Sequence, residues 1–434
     1  GPGILQVPLP NHNPGITQVS SPADDPGNLQ VWLLNESTGA NATWGVNTTS
    51  ETINITDGTR TDEQVATIDP ATESAKAIQF AVDNKTSEND TVVVGPGTYN
   101  GSVNVTTPNV TLEGTEGAEA TIIGQSTNVV KIDANDVTLS GLDIQNPEGS
   151  GDGNTDVNAV GVKVDPGNTG VTVTNNNISQ VGTAVNTNVI GVYVERDTDG
   201  VSITENELSA LNGTVDNEDR SQAIQLIAQE GGNVGSITGA NIANNTITNV
   251  SDTSFAKAIE LNGNVSANIS GNDISEINTN GPVGTGLTRA IVLNNGTNAN
   301  SPSNMVIENN TISSLETGTV NNNFSATHIT LPEVGDVNTI EIKNNEFNAV
   351  SNDEVYVLDR ATKEFNLEET YDNNTFSPNA IQFKGFGIRA LVVNKVPTAA
   401  NDTDRTDEDN TISRNASDGV TSNDTDPETN YTLN

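Results

Sequence analysis

The stretch "MVIENNTISSL", Met305 to Leu315, sets two asparagines between two short apolar alternations, and "VTVTNNNISQV", "ITENELSAL" and "IEIKNNEFNAV" repeat the device elsewhere. Aligned on one asparagine, the copies give the column Asn176, Asn206, Asn245, Asn272, Asn310, Asn345 and Asn374. Two residues after each stands an apolar residue: Ile178, Leu208, Ile247, Ile274, Ile312, Phe347 and Phe376. Three residues before each stands another: Val173, Ile203, Ile242, Ile269, Ile307, Ile342 and Tyr371. In the same frame Leu142 and Thr115 replace the asparagine in two earlier segments. Copies with one core pattern and unequal loops are the mark of a solenoid, in which no repeat can bury its apolar side alone.

A second motif precedes most copies: "AVGVKV", "VIGVYV", "QAIQLI", "KAIELN", "RAIVLN" and "THITLP". Each alternates with period two, so each reads as a strand with one buried face. The repeat therefore supplies at least two short strands joined by Gly/Asn turns. An inward asparagine at the bend between strands can bond to its equivalents in the coils above and below. The column reads as a structural asparagine ladder, with Asn also tolerating a left-handed bend.

Composition agrees with a thin core, since only 33% of the 434 residues are hydrophobic and 3% aromatic. The net charge of -40 arises from 57 acidic residues against 17 basic ones, spread along the whole chain. Nucleic acid and anionic membranes, which want clustered Lys and Arg, are excluded as expected partners. A dispersed acidic surface instead suits a salt-adapted protein, because high salt screens its self-repulsion. With no cysteine there is neither disulfide nor thiolate metal site. No apolar run reaches membrane-spanning length, and no basic-then-apolar leader opens the chain, which reads as a mature or trimmed piece.

Residues 77–114, beginning "AIQFAVDNKTSENDTVVVGPGTY", together with the following "NVVKIDANDVTLSGLDIQN", resemble the opening coils of right-handed parallel β-helix proteins. That pectate-lyase-like superfold includes the NosD and carbohydrate-binding/sugar-hydrolase repeat families. The resemblance runs from about Ala71 to Val393. It implies an all-β solenoid whose first coil is capped by the helical "ESAKAIQFAVD". The fold hosts lyases, hydrolases, esterases, adhesins and viral spikes alike, so it implies no single function.

Three regions are expected: a β-rich cap over residues 1–60, the β-helix over 61–395, and a distinct tail over 396–434. "AIQFKGFGIRALVVNKV" is expected to close the C-terminal end of the solenoid. The tail resembles the start of a cadherin-like or VCBS-type surface repeat through "PTAAND", "TDEDN" and "SNDTDPE". The resemblance implies calcium at Asp402, Glu408, Asp424 and Asp426. The chain stops at Asn434 before the remaining strands of a sandwich. Two readings stand open, a strand donated between subunits or a remnant of a longer protein.

Candidate chemistry is sparse. The outward positions of the second motif, taken by strict alternation, are Lys163, Tyr193, Gln225, Glu260, Val292 and Thr330, with one base and no acid cluster. The best carboxylate grouping is Glu195, Asp197 and Asp199 with Arg196, facing "DNEDR" at Asp216 to Arg220; Glu195 and Asp219 are the candidate catalytic acids. His12 and His328 have no partner pattern, and His328 reads as a tolerated strand-edge residue. Glycosylation triplets occur at Asn35, Asn41, Asn47, Asn54, Asn104, Asn109, Asn212, Asn295 and Asn323. Composition alone generates many of these, and any one used would place the protein outside the cell.

The expected function is a secreted or cell-surface structural or adhesive module that binds carbohydrate and assembles with itself or other surface proteins. A polysaccharide lyase or glycoside hydrolase with its site on the inserts is the alternative. A viral spike or filament subunit is the third reading.

Overall fold

The computed structural model describes the strand segments 16–20, 30–34, 41–45, 52–55 and 63–67 and, with short internal gaps, residues 75–393. The chain is a right-handed parallel β-helix. Each coil lays one strand on each of three long sheets, as in Thr172–Thr174, Asn177–Val181 and Asn188–Glu195. The next coil repeats the course with Ser202–Thr204, Glu207–Asn212 and Arg220–Ile227, each in parallel register on its predecessor. Stacking buries the alternate apolar residues in one continuous core, from Val92 and Leu112 through Ile203 and Ile242 to Phe347. Each such side chain contributes about 1.5–3 kcal/mol by leaving water.

At the N-terminal end the helix Lys76–Asp83 packs beside the first coils. Its Gln79 amide exchanges hydrogen bonds with the backbone of Asn104, at 2.8 and 2.6 Å. The strand Ile16–Ser20 adds in parallel to Thr91–Val94, and Gln30–Leu34 and Asn41–Gly45 extend that sheet as an antiparallel meander. At the other end Ala380–Gly385 and Ile388–Val393 form an antiparallel hairpin laid on Glu354–Asp359. The tail, with Asp402, Glu408, Asp424 and Asp426, lies outside the described residues.

The asparagine column forms a ladder at the bend between the first and second sheets. The Oδ1 of Asn206 accepts from the backbone N–H of Asn176 and from its Nδ2, at 3.0 and 3.1 Å. The pattern repeats at Asn245, Asn272, Asn310, Asn345 and Asn374. Each Nδ2 also donates across the bend to a carbonyl of the coil below, as Asn245 does to Ile203 at 2.8 Å. The ladder ends on Leu142, whose N–H donates to Asn176.

One detail differs from the expectation. The left-handed conformation belongs to the residue before the ladder: Asn175, Glu205, Asn244, Asn309 and Asn344 have φ of 55 to 58°. The repeated Asn-Asn pair thus divides two tasks, the first asparagine turning the chain and the second bonding it to its neighbours.

Tyr371 departs from the apolar column. The helix Leu367–Asp372 replaces the strand there, and Tyr371 is exposed.

Candidate binding face on the third sheet

In the third sheet the paired positions skip one residue in every coil: Ile190 pairs with Gln222 and Val192 with Ile224, stepping over Gly191 and Ala223. The same step recurs at Ala258, Ala290, His328 and Tyr356. At each, two consecutive residues face the core, as Ala258 and Ile259 do. Alternation is therefore broken once per strand, and the outer face carries two columns where strict alternation predicts one. The second column is Val160, Ile190, Gln222, Lys257, Arg289, Thr327 and Val355, beside the expected Lys163, Tyr193, Gln225, Glu260, Val292 and Thr330.

The extra column adds Lys257 and Arg289 to the cations of this face. Lys131, Lys163, Arg220, Lys257 and Arg289, five of the 17 basic residues, lie on this one face of a chain whose net charge is -40. Near its centre Glu260 is fully buried and takes hydrogen bonds from Lys257 Nζ at 2.6 Å, Gln222 Nε2 at 2.8 Å, Gln225 Nε2 at 3.1 Å and Asn294 Nδ2 at 2.5 Å. Burial pulls the carboxyl's pKa up, but Lys257, Arg220 and Gln225 outweigh it and hold Glu260 below the usual range. Lys257 sees one carboxylate and two guanidiniums, so burial leaves its pKa below the usual lysine value. Arg289, next to Lys257 across the strands, is brought down to about 10 by burial and by Arg360.

Toward the N-terminal coils the same face opens. Lys163 reaches both Asp165, at 3.4 Å, and Glu195, at 3.2 Å, and lies 5.8 Å from the centre of the Tyr193 ring. Lys131 closes the group on Asp165 at 2.5 Å, which raises the lysine's pKa. Glu195 therefore does not group with Asp197 and Asp199: it turns back to the preceding coil, Asp197 pairs with Arg196, and Asp199 accepts from Thr238. The strand Asn188–Glu195 ends at Glu195 and the chain turns at Asp197, φ 61°, so Asp197 and Asp199 lie beyond the turn and register across coils chose the partner of Glu195. Asp216 to Asp219, including the candidate acid Asp219, lie outside the described residues.

His328 is not an edge residue. The skipped step turns it inward, where its ring is fully buried, 5.7 Å from Phe347 and 5.2 Å from Tyr356 in edge-on contacts. Its Nε2 lies 2.8 Å from Glu354 Oε2. A histidine fills the place held by alanine in the coil before, and its polar edge finds a buried carboxylate.

Of the glycosylation candidates, Asn35, Asn47 and Asn323 lie outside the described residues; Asn41 and Asn54 lie on strands Asn41–Gly45 and Thr52–Ile55. Asn104 sits in the strand Val103–Val105, and Asn109 turns the chain with φ 58°. The Asn212 Oδ1 accepts from Ser251, and Asn295 accepts from the Glu333 N–H and donates to the Val334 carbonyl. Among the described residues no group of three or more acids or histidines is placed to hold a metal ion, and no helix is long and apolar enough to cross a membrane.

No family model and no curated protein matches the chain. Among solved structures it is similar to an alginate lyase from a Paenibacillus strain, at 14% identity and a TM-score of 0.35 over 63% of this chain and 93% of that one. It is also similar to a Yersinia enterocolitica family 28 exopolygalacturonase, at 10% identity and a TM-score of 0.32 over 78% and 81%. The Dettilon tailspike protein follows at 14% identity and a TM-score of 0.29 over 67% and 68%. At such identity these are likenesses of fold, and the fold itself is given by the stacked parallel sheets of this chain.

Proposed function

We propose that the chain is a carbohydrate-binding β-helix module of a secreted or cell-surface protein, and that it grips a glycan with the outer face of its third sheet. The observation that carries this is the gathering of Lys131, Lys163, Arg220, Lys257 and Arg289 on one face of an otherwise acidic chain. Cations so placed interrupt the negative field and can meet the carboxylates of an acidic glycan. Asp165 and Glu195 between them offer acceptors to hydroxyl groups. The open Lys131 and Lys163 end is the entry, and the buried Glu260 network is its rigid floor.

The test is co-sedimentation with acidic polysaccharides over a salt series from about 0.1 M to about 1 M. Lys131→Glu with Lys163→Glu is expected to abolish binding, while Lys343→Glu, on another sheet, leaves it unchanged. Absence of binding by the unaltered chain, or binding indifferent to the first pair, would sink the proposal.

A β-elimination on the same glycan is the second reading, favoured by the pairing of Lys257 with Arg289 across neighbouring strands, which sets two cations side by side to meet a substrate carboxylate. Glu260, held ionised, is unsuited to be a general acid, which speaks against hydrolysis at this point. Appearance of an unsaturated, ultraviolet-absorbing product with the unaltered chain would decide for it, and its absence would rule it out.

Salt adaptation, a surface role, calcium at Asp402, Glu408, Asp424 and Asp426, and self-assembly by strand donation belong to the same proposal. They rest on the acidic composition and the tail's resemblance. Light scattering in molar salt with and without calcium tests the last two together.

A further inference from the structure

Where the ladder ends, the chain builds a second and separate feature. Phe347, Phe376 and Tyr371 form a continuous stack, with ring centres 5.2 Å apart at 17° and then 5.8 Å apart at 10°. The stack begins in the core, where Phe347 is fully buried, and emerges at Tyr371, which is 41% exposed. One face of the tyrosine rests on Phe376, and the ring borders an open depression of about 340 Å³. Asp372, Thr375 and Asn379, all exposed, share its walls.

The position of Tyr371 is fixed from two sides. The short helix that carries it is capped by Asn366, whose side chain accepts from the Glu369 N–H. Its last turn is tied to the last rung of the ladder, because the Asn374 Nδ2 donates to the Thr370 carbonyl at 2.6 Å. An aromatic ring held this way loses little conformational entropy when a ligand lands on it.

We propose that this depression is a saccharide subsite in which the C–H face of a neutral hexose lies on Tyr371. Asp372 and Asn379 take the ring's hydroxyl groups. The volume stands at the small end of ligand pockets, room for about one or two sugar rings. Glu368, Glu369 and Asp372 make the helix acidic, so a uronate is repelled and a neutral sugar, whose hydroxyls can donate to a carboxylate, is selected. The subsite is independent of the third sheet's outer face, from which it differs in both chemistry and place.

The experiment is saturation-transfer NMR on the full chain in molar salt, with neutral gluco-, galacto- and manno-oligosaccharides as probes. Transfer to the C–H face of at least one probe is expected. Tyr371→Phe should retain it, Tyr371→Ala should weaken binding about five- to tenfold, and Lys163→Glu should leave it unchanged. No transfer to any probe, or equal binding by Tyr371→Ala with an unaltered melt, overturns the inference. Should Tyr371→Ala fail to fold, Asp372→Ala with Asn379→Ala reads the same site from its exposed walls, and undiminished binding there also overturns it.

Discussion

Lys257 Nζ lies 2.6 Å from Glu260 Oε1, three residues on in the same strand, with the lysine 5% exposed and the glutamate fully buried. Three residues apart in a regular strand would place them on opposite faces. They meet because Ala258 and Ile259 both turn inward. The pair is thus a direct product of the broken alternation, and removing one member leaves the other buried without its counter-charge.

Glu260→Gln keeps the shape of the side chain and removes its charge. We expect it to destabilise the fold by about 3–5 kcal/mol, measured as a shift in the urea midpoint at constant slope. Lys257→Met combined with Glu260→Leu should recover only part of that loss, since an apolar pair replaces the buried ions but leaves the amides of Gln222, Gln225 and Asn294 without their acceptor. A double variant no more stable than Glu260→Gln would mean that the network is held for another reason.

The same carboxyl sets a pH dependence. Its pKa is lower in the folded chain than the ordinary 4.5, so the stability it contributes is complete above that value and is lost as pH falls through the folded one. The melting temperature of the unaltered chain should therefore fall relative to that of Glu260→Gln as pH drops below about 4.5. Protonation of the many surface acids acts on both proteins alike and cancels in the difference. Parallel curves would contradict the assignment.

Along the ladder, Asn245→Ala deletes the Oδ1 that serves the N–H and Nδ2 of Asn206 and the Nδ2 that serves the Ile203 carbonyl. Leaving two buried donors unmet should cost about 2–4 kcal/mol. Asn245→Asp retains the acceptor and should lose less at acid pH, where its carboxyl is protonated and can donate, than at neutral pH. Thermal melts across pH test this.

The inward step of the third sheet admits only small residues in its middle coils. A Cβ on Gly191 would stand 2.6 Å from the Ala223 carbonyl oxygen and 2.9 Å from the Leu208 side chain. Gly191→Ala is expected to destabilise by about 1–3 kcal/mol through overpacking. Hydrogen exchange should place the loss in the coils of Gly161, Gly191 and Ala223, and uniform loosening along the solenoid would argue against a local clash.

The sequence by itself determined the architecture. Apolar residues at period two fixed the strands, and Asn176 through Asn374 at one frame position fixed the ladder, because both depend on spacing within a coil. Tertiary structure decided which face each third-sheet residue takes. Two adjacent inward residues per strand are invisible to an alternation rule, so Lys257 and Arg289 were missed and His328 was placed at an edge instead of in the core. The recurring small-then-branched pairs Ala223-Ile224, Ala258-Ile259 and Ala290-Ile291 were the available signal. Glu195 found Lys163, and Tyr371 left the apolar column for a helix at the solenoid's end, for one reason: partners across coils are set by register in space, which coils of 27 to 39 residues do not spell out along the chain.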